Sequence, residues 1–314
     1  MTAEAVLKYD CEKPITAAAA MVSGQMFQLA DGRAAWVNGL KSAASGDAVD
    51  PATEGIVEIP KTASIVILDG GKVYWDYSAN AGHFKPVNDR DFYVGTAVGD
   101  ASSSATTMLV HINKKPVYLI DSAVDEFTTA LVLTAGTPAI YQVGGSHHMS
   151  FSATAEAQKV DMLSDRGFAL SANAIVEFKV RAIDDGDAAA IDFNIGVANA
   201  THASDADSIT ESFFIHLDGN STQVNAESDD GTTEVASTDT TVDYTLGTAI
   251  EGWLDLRVPA DPQLYIDGVN RLSSTTFDIS AATGPLKLLA HMEKSSDDTT
   301  ALYVVDFLRA RIQE

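Results

Sequence analysis

Apolar residues along this chain recur in short segments, rich in β-branched and aromatic side chains and closed off by Gly, Asp, Asn or Ser. Long stretches with helical spacing are nearly absent. Such punctuation predicts many short strands in a sandwich or barrel. In places the alternation is explicit. Val176, Phe178 and Val180 interleave with Glu177, Lys179 and Arg181, and Leu254, Leu256 and Val258 interleave with Asp255 and Arg257. One apolar face and one polar face is what a half-buried antiparallel strand requires.

Two modules follow from this pattern. Residues 1–14 read as an extended arm and 15–138 as a small β-barrel. Its clearest strands are Gly55–Ile59, Ser64–Leu68, Lys72–Asp76, Tyr93–Val98 and Thr107–Ile112. Turns fall at Asp69-Gly70-Gly71 and Gly99-Asp100-Ala101, and Pro60 ends its strand because it has no N–H for a ladder. Between Lys114 and Ser146 the pattern weakens. Short strands at Pro116–Ile120 and Ala130–Leu133 and a helical turn over Asp121–Thr129 are expected, either closing the first module or connecting it onward. Residues 139–148 read as a linker. The second module, 149–314, has ten strand-like segments, among them Asp192–Val197, Glu211–Leu217, Thr222–Glu227 and Leu286–His291. Tight turns fit Asp218-Gly219-Asn220 and Asp267-Gly268. The natural architecture is a two-sheet sandwich, so the fold class is all-β.

Charge narrows the partners. Among 314 residues, 20 Lys and Arg stand against 44 Asp and Glu, a formal net charge of −24. So acidic a surface repels phosphate backbones, which excludes a nucleic-acid role, and suits docking on a basic or mixed surface. A single cysteine, Cys11, excludes an intrachain disulfide and a Cys-based zinc site. The opening MTAEAVLKYDCEKP lacks the basic start and apolar core of a signal peptide, and Ala17–Met21 is too short to span a bilayer. Synthesis in a host cytoplasm and no membrane partner are the expectations.

Candidate chemistry is sparse. Acidic loops hold Asp184, Asp185 and Asp187; Asp205 and Asp207; Asp229 and Asp230; and Asp297 and Asp298. None has the twelve-residue calcium-loop spacing, and solvated loop tips explain them. No Glu-x-Asp-x-x-Glu run supplies the facing carboxylates of a jelly-roll glycosidase, and Glu177 stands alone on its strand. His147-His148 falls in the expected linker, while His83, His111, His202, His216 and His291 are scattered singly. Nucleophile elbow, phosphate loop and dinucleotide fingerprint are all missing. The chain is therefore expected to be no enzyme, with no catalytic residues, metal or cofactor.

Three blocks occur in order: Ala52-Thr53-Glu54-Gly55-Ile56-Val57-Glu58-Ile59-Pro60-Lys61, then Gly70-Gly71-Lys72-Val73-Tyr74-Trp75-Asp76, then Tyr93-Val94-Gly95-Thr96-Ala97-Val98. This order resembles the capsid-decoration (cement) family of tailed phages, similar in role to lambda-type head-stabilising proteins. The likeness spans about Ala5 to Ile112. A second resemblance, to concanavalin-like and laminin-G-like jelly rolls, rests on Gly252-Trp253-Leu254-Asp255-Leu256-Arg257 followed by Leu264-Tyr265-Ile266-Asp267-Gly268-Val269. The first implies a structural virion protein on the outer capsid surface, bound to the major capsid protein and self-associated as a homotrimer at three-fold or quasi-three-fold positions. Ala5, Val6, Leu7 and Tyr9 would then be capsid contacts, adding a strand to a capsid sheet edge. The second implies a projecting domain, with glycans as possible partners and Tyr244, Tyr265 and Phe213 as ambiguous aromatics beside a core Trp253. A carbohydrate-binding adhesion module is the alternative reading.

Overall fold

The computed structural model describes residues 4–5, 14–38, 42–132, 138–186 and 191–312. The chain divides into two compact units, Met1–Val117 and Tyr118–Glu314. Among the described residues every long regular element is a strand, which bears out the all-β reading.

The first unit holds β1 (Glu4–Ala5), β2 (Ile15–Thr16), β3 (Met26–Gln28), β4 (Ala34–Asn38), β5 (Ala48–Ala52), β6 (Ile56–Pro60), β7 (Lys72–Asp76), β8 (Ala81–His83), β9 (Phe92–Val98) and β10 (Thr107–Ile112). One sheet runs β1-β6-β10-β9-β7-β8 and a smaller one β2-β5-β4-β3. A bridge from Lys61 to Gly82 brings β8 back to the end of β6, so the larger sheet curls into a small barrel. Val57, Ile59, Val73, Trp75, Val94, Met108 and Val110 are buried in this unit. Two glycines of the ordered blocks have steric duties. Gly55 sits at φ +103°, and a Cβ on Gly95 would lie 2.1 Å from the His111 carbonyl oxygen. Ser64–Leu68 forms no strand. Ile65 and Ile67 are buried, but the segment makes only a single bridge, Ile67 to Ala101.

The second unit holds β11 (Ile120–Asp121), β12 (Phe127–Val132), β13 (Ala139–Val143), β14 (Ser146–Phe151), β15 (Glu156–Phe168), β16 (Ala174–Asp184), β17 (Ile191–Ala198), β18 (Ser212–Asp218), β19 (Gln223–Asp229), β20 (Glu234–Asp243), β21 (Ala249–Asp255), β22 (Gln263–Ile266), β23 (Val269–Arg271), β24 (Leu286–Asp297) and β25 (Ala301–Ile312). One sheet runs β13-β14-β25-β16-β21-β22-β23, with β11 on β25. The other runs β12-β15-β24-β17-β18-β19-β20. Their apolar faces meet in one core that includes Val176, Phe178, Tyr303, Phe193, Ile195, Phe213 and Met292. This is the expected sandwich.

The unit boundary lies earlier than residue 138. β12 pairs with β15, and the expected linker 139–148 is a β13–β14 hairpin that pairs onward with β25. Gly144 and Gly145, at φ +60° and +90°, form its two-residue turn. The helical turn expected over Asp121–Thr129 is a tight turn held by Asp125, whose carboxylate accepts from the Asp121 N–H at 2.6 Å, before β12 begins.

Candidate functional site

In the second unit's β12–β20 sheet, strands that bury alternate residues in the core must present the others on the opposite face. That outer face is strongly polar across its centre. Antiparallel register sets Asp161, His291, Asn194, His216 and Asn225 in one row across β15, β24, β17, β18 and β19. The adjacent row is Lys159, Glu293, Asp192 and Asp218. On the other side run Leu163, Leu289, Gly196, Phe214 and Glu227.

Loop 199–211 shields part of this face. Leu289, Phe214 and Ala198 pack with Ala206 and Ile209 of the loop. Polar ties complete the cover. Lys159 Nζ sits 2.5 Å from Asp161 Oδ2 and donates to Thr201 Oγ1 (3.1 Å) and the His202 carbonyl (2.8 Å). Thr201 Oγ1 donates to Asp161 Oδ2 (2.5 Å), and the Ala206 N–H donates to Glu293 Oε2 (3.1 Å). Glu211 anchors the loop's end by accepting from the Thr283 N–H and hydroxyl, the Gly284 N–H and Asn199 Nδ2.

His216 lies beside Asp207 of this loop, and only 4% of it reaches solvent. Its Nε2 lies 2.8 Å from Asp218 Oδ1 and 3.6 Å from Asp192 Oδ1. Nδ1 lies 3.3 Å from Glu227 Oε1 and 3.5 Å from Asp207 Oδ1, without making a hydrogen bond. Asn194 Nδ2 donates to both of those carboxylates, at 3.2 Å to Glu227 and 3.3 Å to Asp207. Asn225 Nδ2 holds the other oxygen of Asp218 at 3.1 Å. Burial alone would push the His216 imidazolium down, but the four carboxylates around it together hold its pKa well above the ordinary value. Burial pushes the Glu227 carboxyl up to about 7 against the pull of His216. The His216 ring beside Asp207 holds that carboxyl below the usual carboxylate range.

The sequence pattern names these residues without assembling them. Along the chain Asp207 stands in an acidic loop and His216 stands singly, and the structure brings them together with Glu227. The available signal is the period-two spacing of Asp192-x-Asn194, His216-x-Asp218, Asn225-x-Glu227 and His291-x-Glu293 on strands otherwise apolar. Other expected positions lie elsewhere. Glu177 accepts from Tyr118 Oη at 2.9 Å and pairs with Arg311. His147 Nε2 donates to the Ser122 carbonyl, and His148 stacks on Tyr141. Phe213, Tyr244, Trp253 and Tyr265 are all buried, and Trp253 stacks on Tyr265 at 5.7 Å. Ala5 pairs with Val57 of this chain, while Val6, Leu7 and Tyr9 lie outside the described residues.

The first unit carries the sharpest comparison. Residues 10–112 match the phage cement protein family. That stretch contains β2 to β10 and all three ordered blocks, so the resemblance to cement proteins holds for the first unit. No curated protein matches the chain. Solved structures similar to it share little sequence. The carbohydrate recognition domain of Emp47p is 10% identical, with a TM-score of 0.43 over 60% of this chain and 89% of that one. A structure from work on endo-acting O-glycanases of human gut microbiota is 11% identical, with a TM-score of 0.41 over 63% and 100%. The carbohydrate-binding module CBM66 from Bacillus subtilis is 12% identical, with a TM-score of 0.35 over 57% and 92%. Among the described residues, no helix is long and apolar enough to cross a membrane.

Proposed function

We propose that this protein is a structural, non-enzymatic decoration protein that binds the outer surface of an expanded phage head and stabilises it. The observation that carries the reading is the cement-family match over residues 10–112. The first unit attaches to the major capsid protein, as a homotrimer at three-fold or quasi-three-fold positions, and the second unit projects outward. The physical rationale is linkage: a protein that binds only the expanded shell lowers that state's free energy relative to every other. A surface with net charge −24 favours a basic or mixed patch on the shell. Residues around Ala5 extend the docking by strand addition. Glycan binding is not part of the proposal, because Tyr244, Tyr265 and Phe213, the aromatics left open for a sugar face, are buried like Trp253.

The test uses the full chain and expanded heads that lack it. Retention of the chain on sedimented heads, at a saturating stoichiometry set by the three-fold positions, is the expected result. Failure to cosediment at micromolar chain concentration would sink the proposal. Deleting Met1–Asp10 tests the arm separately, since unchanged occupancy removes it from the contact.

A further inference from the structure

We propose that Asp207, His216 and Glu227 form a binding site for a divalent first-row transition-metal ion, of the zinc or manganese kind, on the outer face of the second unit. The site is independent of capsid attachment.

Geometry carries the argument. Nδ1 of His216 lies 3.3 Å from Glu227 Oε1 and 3.5 Å from Asp207 Oδ1, and potential ligand atoms of the three residues all lie within 4.8 Å of one another. Ligands bound at about 2.1 Å around a tetrahedral ion stand ~3.4 Å apart, so both spacings from Nδ1 are edges of such a polyhedron. Nδ1 is also the nitrogen left without a hydrogen bond on a side chain more than nine-tenths buried. The opposite nitrogen explains why. Nε2–H donates to Asp218 at 2.8 Å, which fixes Nε2 as a protonated nitrogen and leaves Nδ1 as the one that can face an ion. This carboxylate–histidine–metal relay is the usual way a protein orients a ligating imidazole. The oxygen ligands are oriented likewise, by Asn194 Nδ2 on both carboxylates.

Access and remaining ligands are present as well. A pocket of about 60 Å³ is lined by Asp207, Ser212, Glu227 and Ser228, which leaves room for water to complete the coordination shell. The Ser228 hydroxyl in that lining is buried without a hydrogen-bond partner. Asp207, with a side chain 53% exposed, gives the ion a route from solvent. One imidazole with two carboxylates suits zinc or manganese better than calcium or magnesium, which prefer all-oxygen shells. The competing arrangement is a protonated His216 that serves as the cluster's only cation.

The experiment titrates ZnCl2 and MnCl2 into the full chain after EDTA treatment at pH 7.5, by calorimetry. One site per chain and a rise in Tm with bound ion are expected. Asp207→Asn, at a half-exposed loop position where the fold tolerates change, and Glu227→Gln should each weaken binding at least tenfold. Absence of binding to the wild-type chain overturns the site. So does binding that neither variant weakens, because the ion then sits elsewhere, for instance at His147–His148 or Cys11. A His216 imidazole that keeps imidazolium nitrogen shifts in saturating zinc overturns it as well.

Discussion

The two faces of the β12–β20 sheet are built from the same strands, yet they depend on different physics. On the inner face, Phe193, Ile195, Phe213 and Met292 are held by volume and shape. On the outer face, Asp161, His291 and Asn194 are buried as deeply, but what holds them is partnership. A cavity on the first face forfeits contacts; a missing partner on the second strands a charge or a dipole. The comparison teaches that burial alone does not tell which kind of substitution a position resists.

The largest effect is expected on the inner face. Phe193 stacks on Tyr303 with ring centroids 4.4 Å apart, and both are fully buried. Phe193→Ala should cost about 3–5 kcal/mol, whereas Phe193→Leu, which keeps most of the volume, should cost well under half of that. Urea unfolding followed by a second-unit probe such as Trp253 fluorescence measures both.

The outer face should invert that pattern. Lys159→Met leaves the volume but removes the cation beside Asp161, at a cost of about 3 kcal/mol. Replacing both partners, as Lys159→Met with Asp161→Leu, should recover at least half of the loss, because no uncompensated charge remains. If the double variant is less stable than the single one, the outer face is held by something other than charge pairing.

Much of this contrast was legible in advance and some was not. The inner face shows in Asp192–Val197, and the sheet packed against it in the alternation of Val176, Phe178 and Val180, because apolar periodicity is a local signal. β15 escaped because Lys159, Asp161, Asp165 and Arg166 interrupt its apolar pattern, although the charges at 159 and 161 are buried partners. The polar stretch Glu234–Asp243 became β20 for a similar reason: pairing with β19, rather than its own composition, makes it a strand. The His216 cluster needs the register of three strands and the course of loop 199–211. Spacing within any one segment cannot supply that. In the first unit Gly55 answers to a local backbone demand, its positive φ, whereas the reason for Gly95, the close approach of His111 on β10, appears only with the strand pairing.

Protons offer a third probe of the outer face. Burial pushes the Glu211 carboxyl up, but hydrogen bonds from Thr283, Gly284 and Asn199 outweigh it and hold the pKa below the ordinary value. A pKa lower in the folded than in the unfolded chain means stability that is present above the unfolded value of about 4.3 and lost as pH falls through the folded one. Wild-type stability should therefore decline on acidification below about pH 4.5. Glu211→Gln, already less stable at pH 7 by about 1–2 kcal/mol, should decline less steeply there. Parallel acid limbs for the two proteins would show that Glu211 does not tether the loop.

The smallest effect separates buried from half-exposed pairing. On the second unit's other sheet, Arg181 grips Asp306 through two hydrogen bonds, Nε to Oδ2 at 2.9 Å and Nη2 to Oδ1 at 2.7 Å. The pair matches Lys159–Asp161 in chemistry, but its side chains are 34% and 18% exposed instead of 7% and 1%. Water then replaces the lost partner, so Arg181→Met should cost about 0.5–1 kcal/mol. Salt sharpens the contrast. The screening length falls to about 3 Å at 1 M ionic strength. Added NaCl should shrink the Arg181 penalty toward zero while leaving most of the Lys159 penalty in place, because ions cannot enter the covered face. Equal salt sensitivity at the two sites would mean that loop 199–211 opens often enough to wet Lys159.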